Sequence, residues 1–193
     1  MSKRLVVGLS GASGVIYGIR LLEVLRAEKT LETHLILTKP AERTIVEETD
    51  YRIEDVKALA TVTHAPADIG ASIASGSFPT LGMVVIPCSI RSLSAIAYGQ
   101  ADNLLTRAAD VTLKERRKLV LVVRESPLSA IHLESMLKLA RLGVVICPAM
   151  PAFYQHPQTV DEIVDQTVVR VLDQVDIHLD APRWQGEMHP VHR

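Results

Sequence analysis

Residue types that could handle an anion or a proton collect where apolar runs give way to helical patterns. The first such place is Gly8-Leu9-Ser10-Gly11-Ala12-Ser13-Gly14. Small residues at a strand-to-helix turn let backbone N–H groups and the positive end of the helix approach a phosphate. The glycines fall as G-x-x-G-x-x-G, which is not the dinucleotide fingerprint, and no Gly-Lys-Ser/Thr ending makes it a P-loop. FMN therefore competes with NAD for this turn, and a tight turn serving only helix–sheet packing is the plain alternative. A second strand end, Pro87-Cys88-Ser89-Ile90-Arg91-Ser92, again offers hydroxyls and a cation at the start of a helix. A third, Arg124-Glu125-Ser126-Pro127, places a charged pair directly after an apolar run, where a surface ion pair is the alternative reading.

Such turns need a scaffold that brings strand ends together. Short β-rich runs at 4–9, 33–37, 61–64, 83–88, 119–123 and 144–147 alternate with helical patterns. The helices are expected over 15–28, 41–48, 53–60, 89–98, 103–115, 129–142 and 159–178. This alternation predicts an α/β fold, a Rossmann-like three-layer αβα arrangement on a mostly parallel sheet. The last run, 144–147, reads as a buried strand. Residues 71–80, rich in Ser, Gly and Pro, read as a loop, and the prolines of 148–157 exclude a regular helix there.

The chain has 193 residues, which suits a single domain over 1–193 with a polar tail at about 180–193. Its 21 Lys and Arg balance 22 Asp and Glu, so no basic excess draws it to nucleic acid or to an anionic membrane. No apolar run reaches the roughly 18 to 20 residues of a membrane helix, and the first residues are too short an apolar stretch for a signal peptide. A cytoplasmic protein is expected. Cys88 and Cys147 lack neighbouring Cys or His at metal spacing, so they read as buried thiols and no metal is expected.

Several segments, taken together and in this order, carry a resemblance. They are Gly11-Ala12-Ser13-Gly14, Glu48-Thr49-Asp50, Ser75-Gly76-Ser77, Ile86-Pro87-Cys88-Ser89, Arg107-Ala108-Ala109-Asp110-Val111, Leu113-Lys114-Glu115-Arg116, the segment 131–137 that begins Ile131-His132, and Phe153-Tyr154. The chain resembles the UbiX-type flavin prenyltransferases from about Arg4 to Trp184, near the small subunits found beside phenolic-acid decarboxylases. The resemblance implies a flavoprotein fold that joins a dimethylallyl group from dimethylallyl phosphate to reduced FMN. The product, prenylated FMN, would serve a UbiD-type decarboxylase. By similarity Gly11, Ala12, Ser13, Thr38, Ser89, Ile90, Arg91, Ser92 and Arg124 fall on FMN-binding positions. Tyr154 and Arg170 match residues that hold the prenyl phosphate, Arg107 and Lys114 match further phosphate-site cations, and Trp184 covers the prenyl tail. Ser13, Glu48, Glu125 and Lys114 carry the catalytic expectation. Thr38 stands where relatives usually have Ser, and Ile90-Arg91 replaces a common Met-Lys pair, so hydroxyl and charge are kept.

The chemistry is coherent on its own terms. Breaking an allylic C–O bond needs cations on the phosphate side and π faces on the allyl side. Ring closure onto a flavin sheds a proton, a task for a carboxylate, with Glu125 first and Glu48 second, or for the released phosphate. Taken alone, Arg107 and Lys114 read as a solvated stripe on one helix face, His132 as a packing or capping residue, and Tyr154 and Trp184 as core or interface rings. The competing functions are an FMN-dependent aromatic acid decarboxylase and a non-catalytic FMN-carrying subunit. Peptidyl-cysteine decarboxylases of related fold usually carry an early catalytic His and an Asn-containing flavin motif, and neither occurs here. Low aromatic content and an exposed Val/Ile-rich helix at 159–178 predict a homo-oligomer, which the resemblance makes a trimer-based dodecamer.

Overall fold

The computed structural model describes residues 3–184 and Gly186. Of the polar tail expected at 180–193, only 180–184 and Gly186 fall within it. Six strands, β1 (Lys3–Leu9), β2 (Leu31–Leu37), β3 (Val62–His64), β4 (Gly82–Cys88), β5 (Lys118–Val123) and β6 (Val145–Ile146), form one sheet. Their order is β3-β2-β1-β4-β5-β6, and every pair is parallel. The helices are α1 (Val15–Arg26), α2 (Lys39–Glu48), α3 (Ile53–Lys57), α4 (Ile90–Ala97), α5 (Leu104–Lys114), α6 (Ala130–Arg141) and α7 (Val160–Asp173).

The period-two pattern of the strands sorts side chains onto two cores. Leu5, Val7 and Leu9 of β1 face α1, α2, α3 and α7, whereas Val6 faces α4, α5 and α6. In β4, Val84 and Ile86 take the first face and Met83 and Val85 the second; a register irregularity between Val85 and Cys88 then turns Cys88 to the second as well. Helix α1 packs closely against the sheet at Gly18, where a Cβ would overlap the Ile86 carbonyl oxygen and stand 2.8 Å from Leu9 Cγ. Side-chain caps start the helices: Thr38 for α2, Ser89 for α4, Asn103 for α5, Ser129 for α6 and Thr159 for α7. His132 closes the α6 capping box by accepting the Ser129 N–H at 3.1 Å, so its role is capping.

Three elements fall clearly short of their sequence patterns, among them α3, which ends at Lys57 rather than 60. The run at 144–147 yields only two paired residues, half-buried rather than buried, because this edge strand has β5 as its sole neighbour. The helix expected to reach 178 ends at Asp173: the chain turns through Asp176 at φ 59°, and the Ile177 N–H reaches back to the Leu172 carbonyl at 3.1 Å. Helix α7 is also not the exposed apolar face, since Val164, Val168, Val171 and Leu172 are buried against α1 and the sheet. The exposed apolar residues cluster instead on and beside α6, at Leu128, Ile131, Leu133, Leu137 and Leu142. Among the described residues no helix is long and apolar enough to cross a membrane.

Candidate functional site

Strand order reverses between β1 and β4, which opens a crevice at their C-terminal ends where open α/β sheets take ligands. The first group of candidate residues converges there. Ser10 donates its hydroxyl to the Pro87 carbonyl at 3.0 Å and accepts the Ser89 N–H at 2.7 Å, clamping the glycine turn to the β4 turn. The Arg124 N–H donates to the Cys88 carbonyl at 3.2 Å, and the Thr38 N–H to the Leu9 carbonyl at 3.1 Å. Gly11, Ala12, Ser13, Thr38, Ser89, Ile90, Arg91, Ser92 and Arg124 thus lie on adjoining loops of one sheet edge. Only glycine fits at position 11, because a Cβ would run into the Pro40 ring.

The positive end of α1 is not open to a phosphate. Glu48, at the end of α2, accepts the N–H of Gly14 at 2.8 Å and that of Val15 at 3.4 Å, so a carboxylate already neutralises this terminus. Helix α4 differs. Its N-cap Ser89 accepts the Ser92 N–H, its first turn holds no acidic residue, and Arg91 and two serine hydroxyls stand beside it. Arg91 is tethered to Asp102 at 2.8 Å. Arg124 and Glu125 are both exposed and form no ion pair with each other; Glu125 accepts the Ser126 N–H at 3.0 Å instead.

A second group lines a cleft of about 1070 Å³ between the 147–158 segment, α7 and the strap 181–184. Tyr154, Arg170 and Trp184 meet here, as do Cys147, Met150 and Arg183. The Tyr154 and Trp184 rings meet edge to face, with centroids 5.6 Å apart. Arg170 is bound to Asp173 at 2.9 Å, and Arg183 grips the same carboxylate at 2.7 and 2.9 Å. The Arg183 pair, with His178, holds Asp173 down at about 2 against the opposing effect of burial. None of the glycine-turn, β4-turn or Arg124 residues lines this cleft.

The third group, on α5, does not line this cleft. Arg107, in the first turns of α5, pairs with Asp110 at 2.8 Å. Lys114 ends α5 near the N-terminal edge of the sheet, paired with Glu115, and a Cβ on Gly76 would lie 2.8 Å from its ammonium. One chain therefore does not bring Lys114 to the glycine turn or to the cleft. Among the described residues no three His, Cys, Asp or Glu gather as a metal site. Burial pushes the Cys88 thiol up to about 12, which leaves it inert as a nucleophile. Cys147, expected buried, is half-buried on the cleft wall; burial raises its thiol too, with Arg170 nearby pulling the other way.

The flavoprotein family model matches residues 1–172. The flavin prenyltransferase UbiX of Salmonella typhimurium is 57% identical over 187 residues, covering 95% of this chain and 99% of that protein. This chain belongs to the UbiX flavin prenyltransferase family of flavoproteins. Solved UbiX-family structures agree. A dodecameric FMN-dependent UbiX-like decarboxylase from Escherichia coli O157:H7 superposes with a TM-score of 0.93 at 56% identity, covering 95% of this chain and all of that one. AnUbiX (PadA1), in complex with FMN and dimethylallyl pyrophosphate, superposes at 0.91 with 46% identity, over 96% of this chain and 100% of that one. Against this family background, the residues that sequence reasoning missed are Asp173 and Arg183. Their signal, opposite charges ten positions apart across a helix end, is invisible until the chain turns back.

Proposed function

We propose that this chain is a flavin prenyltransferase, joining the dimethylallyl group of dimethylallyl phosphate to reduced FMN and supplying prenylated FMN to a UbiD-type decarboxylase in the cytoplasm. The observation that carries the reading is the pairing, in one UbiX-family chain, of a phosphate-type crevice at the strand-order reversal with a cleft walled by two aromatic rings and a guanidinium.

The donor set fits FMN. With Glu48 on the α1 terminus, the flavin phosphate is assigned to α4, where Ser89, Ser92 and Arg91 supply donors and Arg124 adds an unpaired charge from the next strand. Gly11, Ala12 and Ser13 form the thin wall along which a flat ring can lie, and Thr38 fixes that wall through its bond to Leu9. Bound reduced FMN supplies the nucleophilic ring. Arg170 neutralises the departing phosphate, while Tyr154 and Trp184 turn electron-rich surfaces to the allyl cation. Glu125, exposed on the flavin edge, accepts the proton shed on ring closure; Glu48 and Ser13 stand on the same edge as the second carboxylate and a hydroxyl.

The three groups become one site through assembly. Tyr154 and Trp184 are 46% and 57% exposed, unusual for aromatic rings, and Lys114 lies near the N-terminal edge of the sheet, away from both clefts of its own chain. A homo-oligomer, trimer-based within a dodecamer, sets the cleft and α5 cations of one copy against the flavin edge of another. A relative described as dodecameric supports the homo-oligomer.

That relative is described as a decarboxylase, which keeps a second reading in play: direct FMN-dependent decarboxylation of a phenolic acid. One experiment separates the two. Reduced FMN and dimethylallyl phosphate, or the pyrophosphate in parallel, are incubated anaerobically with the protein, and the flavin is analysed by mass. A flavin heavier by one five-carbon prenyl unit, with phosphate released from the monophosphate (pyrophosphate from the pyrophosphate) and no carbon dioxide from added phenolic acids, is the expected result. Carbon dioxide release with unmodified flavin would overturn it.

A further inference from the structure

Asp173 is the most heavily used carboxylate among the described residues. Its side chain is only 9% exposed, yet it receives Arg170 Nη1 at 2.9 Å, both terminal nitrogens of Arg183 at 2.7 and 2.9 Å, and His178 Nδ1 at 3.0 Å. Two of these partners line the cleft, while Asp173 itself does not. It stands behind the wall and holds it.

The consequence runs along the chain after α7. Residues 177–184 turn back across the cleft as a strap with no regular structure of its own. One side is pinned by the fork of Arg183 on Asp173, reinforced by Arg183 Nη2 to the Leu179 carbonyl at 3.3 Å. The other side is pinned by Gln155 Nε2 to the Pro182 carbonyl at 3.0 Å, a bond from the very turn that carries Tyr154. Trp184 follows these two anchors directly and rests edge-on against Tyr154. A segment this exposed keeps one position only through such charge-assisted, bidentate bonds.

We propose that Asp173 is a positioning residue for prenyl-phosphate binding: it orients Arg170 in the cleft wall and, through Arg183, fastens the strap that places Trp184 against Tyr154. Arg183 is thereby a structural clasp facing the cleft, and the phosphate-binding guanidinium and the prenyl-covering ring are set by one carboxylate. The assignment rests on the reading of the cleft as the prenyl-phosphate site, while the state of the strap can be read without any substrate.

Trp184 is the only tryptophan in the chain, so its fluorescence reports the strap alone. The test compares Asp173→Asn, Asp173→Glu and Arg183→Gln as intact oligomers. In Asp173→Asn and Arg183→Gln, acrylamide quenching of Trp184 should rise about twofold without ligand, because a ring freed from its anchors spends more time in solvent. With reduced FMN saturating, KM for dimethylallyl phosphate should rise about tenfold in Asp173→Asn, the scale of one lost charge-assisted bond, with kcat within about threefold of wild type. Asp173→Glu, which keeps the charge, should recover most of both effects. Arg183→Gln alters an exposed residue outside the core, so it remains readable where Asp173→Asn fails to fold. Unchanged quenching in both neutralised variants would overturn the clasp, and raised quenching with wild-type KM would overturn its link to binding. A wild-type protein that makes no prenylated flavin while Trp184 quenching still responds to Arg183→Gln would refute the prenyl-transfer reading and leave the clasp standing.

Discussion

Removing the Glu48 side chain tests whether this residue is a structural cap, a proton acceptor or both. Its carboxylate receives the Gly14 and Val15 N–H groups at 2.8 and 3.4 Å, two of the donors that α1 cannot satisfy internally. Gly14, at the N-cap position with φ 88°, provides no side-chain acceptor, so nothing else in the turn replaces the carboxylate. Loss of a capping acceptor costs about 1 kcal/mol, and loss of a negative charge at a helix N-terminus a further ~0.3–1 kcal/mol. Because Glu48 is exposed and water can partly substitute, Glu48→Ala should cost about 1–1.5 kcal/mol. For a chain of this length that lowers Tm by about 3–5 °C. Glu48→Gln keeps one carbonyl oxygen to accept the Gly14 N–H and should lose no more than about half as much. Calorimetry with equilibrium urea unfolding measures this side. On the catalytic side, a positioned acid/base contributes about 100-fold or more, so single-turnover prenyl transfer should fall about that far in Glu48→Gln despite its near-native stability. Equal destabilisation by Ala and Gln would refute the capping account. Wild-type turnover in Glu48→Gln would remove Glu48 from the proton transfer and leave Glu125 alone in that role.

Other outcomes follow from features of the same fold. Glu125→Gln should retain FMN, measured by flavin absorbance after gel filtration, while turnover drops about 100- to 10,000-fold. Gly18→Ala should cost about 1–3 kcal/mol in urea unfolding, since the obstacle is the Ile86 backbone oxygen rather than a movable side chain. His34 and His64, stacked with ring nitrogens 3.0 Å apart and with His34 edge-on to Phe78, are both held below the usual 6.5, chiefly by burial. Lowered histidines favour the fold while neutral, so stability should be full above pH 6.5 and fall as pH drops below it; Arg4, Glu32 and Asp68 complete their surroundings. A denaturation midpoint that stays constant from pH 7.5 to 5 would contradict this, and His64→Gln should flatten the slope. Glu substituted at both Leu133 and Leu137 should reduce the assembled mass seen by light scattering, as these residues expose an apolar face of α6.

Local chemistry made much of this legible. The Ser89, Asn103 and Ser129 caps all act within four residues of themselves, so the starts of these helices fall within a few residues of their sequence patterns. What escaped was long-range. Glu48 reads as a free carboxylate beside a turn, and only the packing of α2 shows it reaching across 34 positions to Gly14. Val160 to Leu172 reads as an unpartnered apolar stripe, but α1 and the sheet bury Val164, Val168, Val171 and Leu172, and an exposed apolar face lies on α6. The His34–His64 contact is set by the β2–β3 register, which no residue of either strand announces. Similarly, the separation of Lys114 from Arg124 depends on which end of α5 meets which edge of the sheet, a matter of connection direction rather than of residue type.

The two outer strands are the shortest in the sheet, with three paired residues in β3 and two in β6. A flank this brief presents too few free backbone groups to recruit a neighbouring chain by strand addition. In the proposed assembly, copies of this protein would therefore meet through side chains on helices and loops, where contacts can be specific to one docking angle. Under the proposed assembly, such joints would set rings and cations against a flavin edge without closing it, and would leave the crevice at the strand ends open for a product as large as a modified flavin to depart.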